Sequence, residues 1–224
     1  MGFLIDTIRK EYPGHTLYFD AGDQFQVGIE SSPLISQGKI MSDFYDALSV
    51  DASAIGNHEF DFGPDFLMPY LQNKESPNLA ANLRSENNRD NFLPEQKSSQ
   101  MFELSSGIRV GVIGLSTIET PSTTNAFKEK LFPQYKFEAY KDVVVTEAAK
   151  LRKAGANAVL LSAHVGNGCF TSNQYGIWKE STKQEDCGVD DEATMLIDAL
   201  PKGTIDGFLQ GHRHKFAHHF HKGT

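Results

Sequence analysis

The stretch Gly56-Asn57-His58-Glu59-Phe60-Asp61 follows a short apolar segment, residues 52–55, whose composition is typical of a β-strand. The turn that leaves this strand therefore carries an amide and an imidazole side by side, and both groups can bind a metal. Asn and His are also common surface residues, so the stretch alone does not establish a site. It predicts one only if other ligand-type side chains follow neighbouring strands.

Three other polar motifs also follow strand-like segments. They are Gly22-Asp23 after residues 17–19, Ala163-His164 after residues 158–161, and Gly211-His212-Arg213-His214 after residues 207–209. Ligands of α/β proteins sit at the carboxyl ends of strands, so we expect the four motifs to meet at one edge. Mixed oxygen and nitrogen ligands suit Zn, Mn, Fe or Co. The sequence therefore predicts a divalent-metal site.

Strand and helix patterns alternate along most of the chain. Helical periodicity predicts helices over residues 4–12, 34–48, 64–71, 140–151 and 192–200. Apolar runs predict strands over residues 16–19, 52–55, 79–83, 101–104, 108–115, 158–161 and 205–209, with a loop over most of 82–99. The strands over 101–104 and 108–115 are predicted to form a hairpin across Ser105-Ser106-Gly107. This order predicts one α/β domain with mixed sheets and outer helices.

The composition bounds the class of protein. A chain of 224 residues with 39% hydrophobic and 11% aromatic content can bury one core, which argues against disorder. The net charge of −8, without a Lys/Arg run, argues against a nucleic-acid partner. No apolar run is long enough to span a membrane, and the first residues do not resemble a signal peptide. The compartment and the oligomeric state stay open.

The two cysteines, Cys169 and Cys187, flank a polar segment that is typical of a surface loop. In an oxidising compartment a bridge between them would stabilise the fold by about 3 kcal/mol, because it would restrict the unfolded chain. In a reducing compartment both would remain thiols. Their spacing does not decide between the two states.

Taken together, the four polar motifs look like the signature of the calcineurin-like metallophosphoesterases. The longer stretch over residues 56–63 resembles the 5′-nucleotidase branch of that superfamily. Protein Ser/Thr phosphatases instead carry Arg before Gly-Asn-His-Glu, where this chain has Ile55, and Asp-Arg-Gly where it has residues 24–28. The resemblance covers nearly the whole chain.

The resemblance implies a four-layer α/β/β/α sandwich with two divalent metal ions. Asp23 would bridge the two metals. Asn57, His164 and His212 would bind one of them, and His214 would bind the other.

The resemblance also implies a mechanism, in-line attack on phosphorus by a metal-held hydroxide. His58 would be catalytic, because it would stabilise the transition state or assist the leaving oxygen. Asp61 would orient and polarise His58 through a hydrogen bond. Glu59 is expected to contact nearby backbone instead.

Two parts of the family pattern do not occur in this sequence. The family begins with a strand ending in Asp-x-His, which supplies two ligands to the metal that His214 would bind, and it ends with further strands. We therefore expect residues 1–224 to form a metallophosphoesterase catalytic domain that lacks this first strand and the closing strands. One metal position would keep four ligands and the other only Asp23 and His214. Binding of the second metal should therefore be weakened or lost.

The implied function is hydrolysis of small phosphate monoesters, above all nucleotides, by an enzyme of the 5′-nucleotidase or cyclic-nucleotide phosphodiesterase type. The alternative is a catalytically impaired domain that binds metal or a partner. A third interpretation is an α/β domain whose histidines are structural. Metal-dependent hydrolysis that is lost in His58→Ala would favour the first hypothesis, and one bound metal without turnover would favour the second.

Overall fold

The computed structural model describes residues 2–25, 36–85, 95–166, 170–172, 178–180, 187–214 and 220. Its helices are α1 (Gly2–Glu11), α2 (Lys39–Ala47), α3 (Pro64–Asn73), α4 (Thr120–Thr123), α5 (Asn125–Lys128), α6 (Tyr140–Lys153) and α7 (Glu192–Ala199), with a 3₁₀ turn at His58–Phe60. Its strands are β1 (Phe19–Asp20), β2 (Ala52–Ala54), β3 (Asn78–Leu79), β4 (Leu83–Ser85), β5 (Gln96–Lys97), β6 (Ser99–Glu103), β7 (Arg109–Ser116), β8 (Tyr135–Phe137), β9 (Ala158–His164), β10 (Phe170–Ser172), β11 (Trp178–Glu180) and β12 (Gly207–Gln210).

Two four-stranded sheets form the centre of the fold. Sheet I has the strand order β1-β2-β3-β5, and its neighbouring strands are all parallel. Sheet II has the order β12-β9-β7-β6; its first three strands are parallel, and β6 forms the predicted antiparallel hairpin with β7. The pairs β4–β8 and β10–β11 are antiparallel. The prediction of mixed sheets is therefore confirmed.

The two sheets pack face to face between layers of helices. Ala52 of sheet I and Val112 of sheet II lie in one apolar cluster between the sheets. Val144 of α6 packs with Leu161 on the outer face of sheet II, in a cluster that also contains residues of α7. Leu67 of α3 belongs to the cluster beside sheet I. The predicted four-layer α/β/β/α sandwich is confirmed.

Proline and glycine lie at the ends of several helices. Helix α1 ends just before Pro13-Gly14, and α3 begins at Pro64, whose missing N–H has no partner to lose in the first turn. Helix α6 ends before Gly155, which has a φ of 93°. The helix expected over 34–48 is confirmed over α2, and residues 34 and 35 lie outside the described ranges.

The prediction of one strand over residues 79–83 is wrong. The segment contains the end of β3 and the start of β4, which belong to different sheets. Between them the Ala81 N–H donates to the Gly114 carbonyl at 2.7 Å, and the Asn82 side chain pairs with both backbone groups of Ser116 at 2.8 and 2.9 Å. These bonds to sheet II draw the chain out of sheet I.

Two neighbouring predictions are also corrected. The expected buried strand over 16–19 is shorter, because only β1 pairs with β2, and it is half-buried. The expected loop over 82–99 contains β4 and β5, while residues 86–94 lie outside the described part of the chain.

Cys187 is disulfide-bonded, and Cys169 is the chain's other cysteine. Of the two states that the spacing left open, the structure therefore has the disulfide-bonded one. Among the described residues, no helix combines the length and the apolar character needed to cross a lipid bilayer.

Candidate metal centre

The four polar motifs meet where strands of both sheets end. Asp23 follows β1 and Asn57 follows β2 in sheet I, whereas His164 ends β9 and His212 follows β12 in sheet II. The Ser162 hydroxyl donates to the Asp20 carbonyl at 3.1 Å and ties the two sheets together at this edge. Parallel strands place their carboxyl ends on the same side, so the loops from both sheets form one site.

Three ligand-type atoms surround Nε2 of His164. Oδ2 of Asp23 lies 3.0 Å away, Oδ1 of Asn57 lies 3.1 Å away, and Nδ1 of His212 lies 3.1 Å away. Nδ1 of His164 lies 2.8 Å from the Ala21 carbonyl oxygen, which can only accept, so Nδ1 is the donor. Nε2 of this buried ring is thereby directed at the cluster.

The cluster fits a divalent metal ion. A proton on Nε2 of His164 could satisfy one of the three facing atoms, whereas a cation at their centre would satisfy all of them. Ligand atoms of Asp23, His164 and His212 lie within 4.8 Å of one another, and the mixed nitrogen and oxygen set suits Zn, Mn, Fe or Co. The residues present therefore match the type of metal that the sequence predicts.

His214 lies at the same cavity but apart from this cluster. The cavity has a volume of about 340 Å³ and is also lined by Gly22, Gln210 and Gly211. His214 is exposed, and it is not part of the ligand group formed by Asp23, His164 and His212. The structure therefore brings together four of the five predicted metal ligands and leaves the fifth at the cavity wall.

The buried Glu59 carboxylate fixes the loop that carries Asp23. It accepts the backbone N–H groups of Gly56 at 2.5 Å, Asp23 at 3.0 Å and Gln24 at 2.5 Å. The expectation that Glu59 contacts nearby backbone is confirmed. Burial raises the pKa of Glu59 to about 7, and the negative charge of Asp23 adds to the effect.

Two glycines allow this loop to approach the next one. Gly22 has a φ of 91°, and a Cβ there would lie 2.7 Å from the Gly56 nitrogen. Asp23 itself has a φ of 60°, a conformation that is uncommon for residues with a side chain. The backbone around Asp23 is thus held in place by Glu59 and by close packing against Gly56.

His58 and Asp61 form the predicted hydrogen-bonded pair. Nδ1 of His58 lies 2.5 Å from Oδ2 of Asp61 across the 3₁₀ turn, and the His58 backbone N–H donates to Oδ1 of Asp23 at 2.9 Å. The hydrogen bond to Asp61 raises the pKa of His58, and the negative charge of Asp23 adds to this effect. Burial lowers the pKa, but by less, so the net shift is upward. The turn therefore links the His58–Asp61 pair directly to the metal-ligand cluster.

The charges in the cluster act on its two histidines in opposite directions. Burial alone would lower the pKa of His164, but the hydrogen bond to Asp23 and its charge outweigh burial, and the net shift is upward. In His212 burial and the nearby charge of His164 both lower the pKa. Asp23 would be raised by burial, yet its contacts with His164 bring its pKa below the usual value. A proton would therefore compete with a metal more strongly at His164 than at His212.

Sequence reasoning missed two carboxylates beside His212. Oε2 of Glu119 lies 3.4 Å from Nε2 of His212, and Glu192 belongs to the same group of potential ligands. Glu119 follows the carboxyl end of β7, so the rule that selected the other motifs would have selected it too. Glu192 begins α7 and reaches the site only through tertiary packing, for which the sequence carries no local signal.

Solved structures resemble the chain in fold. A calcineurin-like phosphoesterase from Bacillus subtilis superposes with a TM-score of 0.71 over 95% of this chain and 62% of that chain, at 22% identity. A 5′-nucleotidase precursor from Thermus thermophilus gives a TM-score of 0.59 over 72% of this chain and 30% of that chain, at 26% identity. The fold is therefore that of the calcineurin-like phosphoesterases.

Relatives in sequence carry the name 5′-nucleotidase. The chain is 32% identical over 168 residues to mouse 5′-nucleotidase, a match that covers 72% of this chain and 27% of the relative. It is 34% identical over 158 residues to the snake venom 5′-nucleotidase of Gloydius brevicauda, over 68% of this chain and 25% of the relative. The predicted resemblance to the 5′-nucleotidase branch, a group of hydrolases, is confirmed. The chain spans about a quarter of the length of these relatives, and no family profile matches it.

Proposed function

We propose that this chain is the metal-binding catalytic domain of a phosphoesterase that hydrolyses phosphate monoesters of nucleotides. The observation that carries the proposal is the convergence of Asp23, Asn57 and His212 on Nε2 of His164. Its similarity to proteins named 5′-nucleotidase supports a nucleotide substrate. The assignment of residues 1–224 to one catalytic domain is part of this proposal.

The side chains would divide the chemistry among them. Asp23, Asn57, His164 and His212 would hold a divalent metal, which neutralises charge on phosphoryl oxygens and lowers the pKa of water. His214 would hold the second metal of the family from the cavity wall.

His58 would act as the proton or hydrogen-bond donor to the reacting phosphate. Nδ1 of His58 is engaged by Asp61, so Nε2 is the nitrogen left for an oxygen of the substrate. The raised pKa of His58 keeps this nitrogen protonated further toward neutral pH, the form that can donate. Asp61 would hold the ring in this orientation.

The test is hydrolysis of an aryl phosphate and of AMP by the purified chain with Mn²⁺ or Zn²⁺. Turnover should vanish with chelator and should fall by roughly 10²–10⁴-fold in His58→Ala, the usual contribution of a general acid. His15→Ala changes an exposed histidine outside the site and should leave turnover unchanged. Equal turnover in His58→Ala and in the unsubstituted protein would reject the proposed role of His58.

One observation favours the second candidate, a domain that binds a metal without turnover. His214 belongs to neither of the two groups of ligand-type side chains that the described residues form, although it lines the same cavity. This candidate predicts a single bound metal per chain and no hydrolysis of either substrate at any metal concentration. Isothermal titration with Zn²⁺ alongside the activity assay separates the two functions.

A further inference from the structure

Glu119 contacts the side of His212 that faces away from the metal-ligand cluster. Nδ1 of His212 points to the cluster, at 3.1 Å from Nε2 of His164. Nε2 of His212 lies 3.4 Å from Oε2 of Glu119, a hydrogen bond slightly longer than the roughly 2.7–3.2 Å typical of N–H···O contacts. The two nitrogens of one ring therefore face different partners. A neutral imidazole carries one hydrogen, so a carboxylate at Nε2 favours the tautomer whose Nδ1 has a free electron pair.

A separate contact holds Glu119 in this position. The Arg213 guanidinium lies 3.5 Å from the same Oε2 of Glu119. Arg213 immediately follows His212 in the chain, so the carboxylate contacts both residues of the loop after β12. The Glu119 side chain is 40% exposed. Among the described residues, its contacts with His212 and Arg213 direct the carboxylate toward the site.

The turn that carries Glu119 is anchored by Glu192. The Glu192 carboxylate accepts the Thr117 hydroxyl at 2.9 Å and the Ile118 N–H at 3.2 Å, and it also accepts the Tyr140 hydroxyl. Three donors thus occupy the Glu192 carboxylate. Its role is to join α6, α7 and the turn after β7, not to bind a metal. This argues against a separate metal ion between Glu119, Glu192 and His212, although their ligand atoms lie close together.

We propose that Glu119 is a positioning residue for the metal centre: its carboxylate accepts the Nε2 hydrogen of His212 and keeps Nδ1 of that ring oriented for the metal. Carboxylates that accept the second N–H of a metal-bound histidine commonly change metal affinity by about 10–100-fold. The inference rests on the metal centre proposed above. It adds a residue that none of the sequence motifs contains.

The experiment is a titration of metal-free protein with Co²⁺, followed by visible absorption at pH 8. We expect Glu119→Ala to weaken Co²⁺ binding by about 10–100-fold. Glu119→Gln keeps an oxygen that accepts from Nε2 and should retain most of the affinity. Glu129→Ala removes an exposed carboxylate further along the same segment and should bind like the unsubstituted chain. Thermal unfolding of the metal-free proteins shows whether the fold is preserved.

A second readout is the tautomer of His212 in the metal-free protein, from long-range ¹H–¹⁵N correlation spectra. The unsubstituted chain and Glu119→Gln should carry hydrogen on Nε2, and Glu119→Ala should show a mixture. Unchanged Co²⁺ affinity in Glu119→Ala would overturn the role of Glu119 while leaving the metal centre in place. Loss of one Co²⁺ per chain in Glu119→Ala would overturn it in favour of a separate metal site. If the unsubstituted chain binds no Co²⁺, the proposed metal centre fails as well.

Discussion

The protonation of His58 depends on its hydrogen bond to Asp61. The bond to Asp61 raises the pKa of His58. Replacing Asp61 by Asn removes the negative charge and should move the pKa of His58 downward. NMR titration of the His58 ring in metal-free protein measures this shift. An unchanged His58 pKa in Asp61→Asn would show that Asp61 does not control the ring.

The same pair has a defined effect on stability. Because the pKa of His58 is higher in the folded chain than in the unfolded chain, its contribution to stability is fully present below the unfolded value. It is lost as the pH rises through the folded value. The urea midpoint of Asp61→Asn should therefore differ from that of the unsubstituted chain most at mildly acidic pH and least at alkaline pH. A difference that grows with pH would contradict this sign.

At the scale of elements, Asn82 joins the turn after β3 to the end of β7. It is fully buried and pairs with both the N–H and the carbonyl of Ser116. Asn82→Ala would leave these groups unpaired, at about 1–3 kcal/mol for each. We expect the free energy of unfolding to fall by about 2–6 kcal/mol in urea denaturation.

The matched control is Asn73→Ala at the exposed end of α3, which should stay within about 0.5 kcal/mol of the unsubstituted chain. Equal midpoints for the two variants would contradict the bridging role of Asn82.

Elements with strong local patterns were predictable, and those held by distant contacts were not. The periodic apolar face of α6 and its glycine stop lie within one segment, so the sequence alone indicates the helix. The division of residues 79–83 depends on bonds from Ala81 and Asn82 to β7, which no local pattern records. The site follows the same division: His164 ends its own strand, whereas Glu192 reaches the site from a distant helix.

At the scale of the molecule, metal binding should stabilise the fold, because only the folded chain gathers the cluster. At a metal concentration 100 times the dissociation constant the gain is about 2.7 kcal/mol. For a chain of this size that corresponds to a rise in Tm of roughly 5–10 °C. Differential scanning calorimetry with Zn²⁺ and with chelator measures the rise.

Two variants refine this prediction. His164→Ala removes the central ligand and should abolish the rise in Tm. His214→Ala should keep most of it, since His214 lies outside the compact group. Loss of the rise in His214→Ala would indicate that the second metal position contributes to the stability of the fold.

The distribution of the cluster over the two sheets bears on when a metal can enter. Asp23 and Asn57 come from the first third of the chain, whereas His164 and His212 come from its last third. A ribosome releases these segments in order, at about 5–20 residues per second, so the early pair waits several seconds for its counterparts. Until His164 has emerged, a nascent chain offers only one carboxylate and one amide of the cluster, and the fourth ligand is present only after the strand before His212 has joined sheet II. Loading of the proposed metal would therefore come late in biosynthesis, and a polypeptide that ended before His212 would lack one of the four ligands.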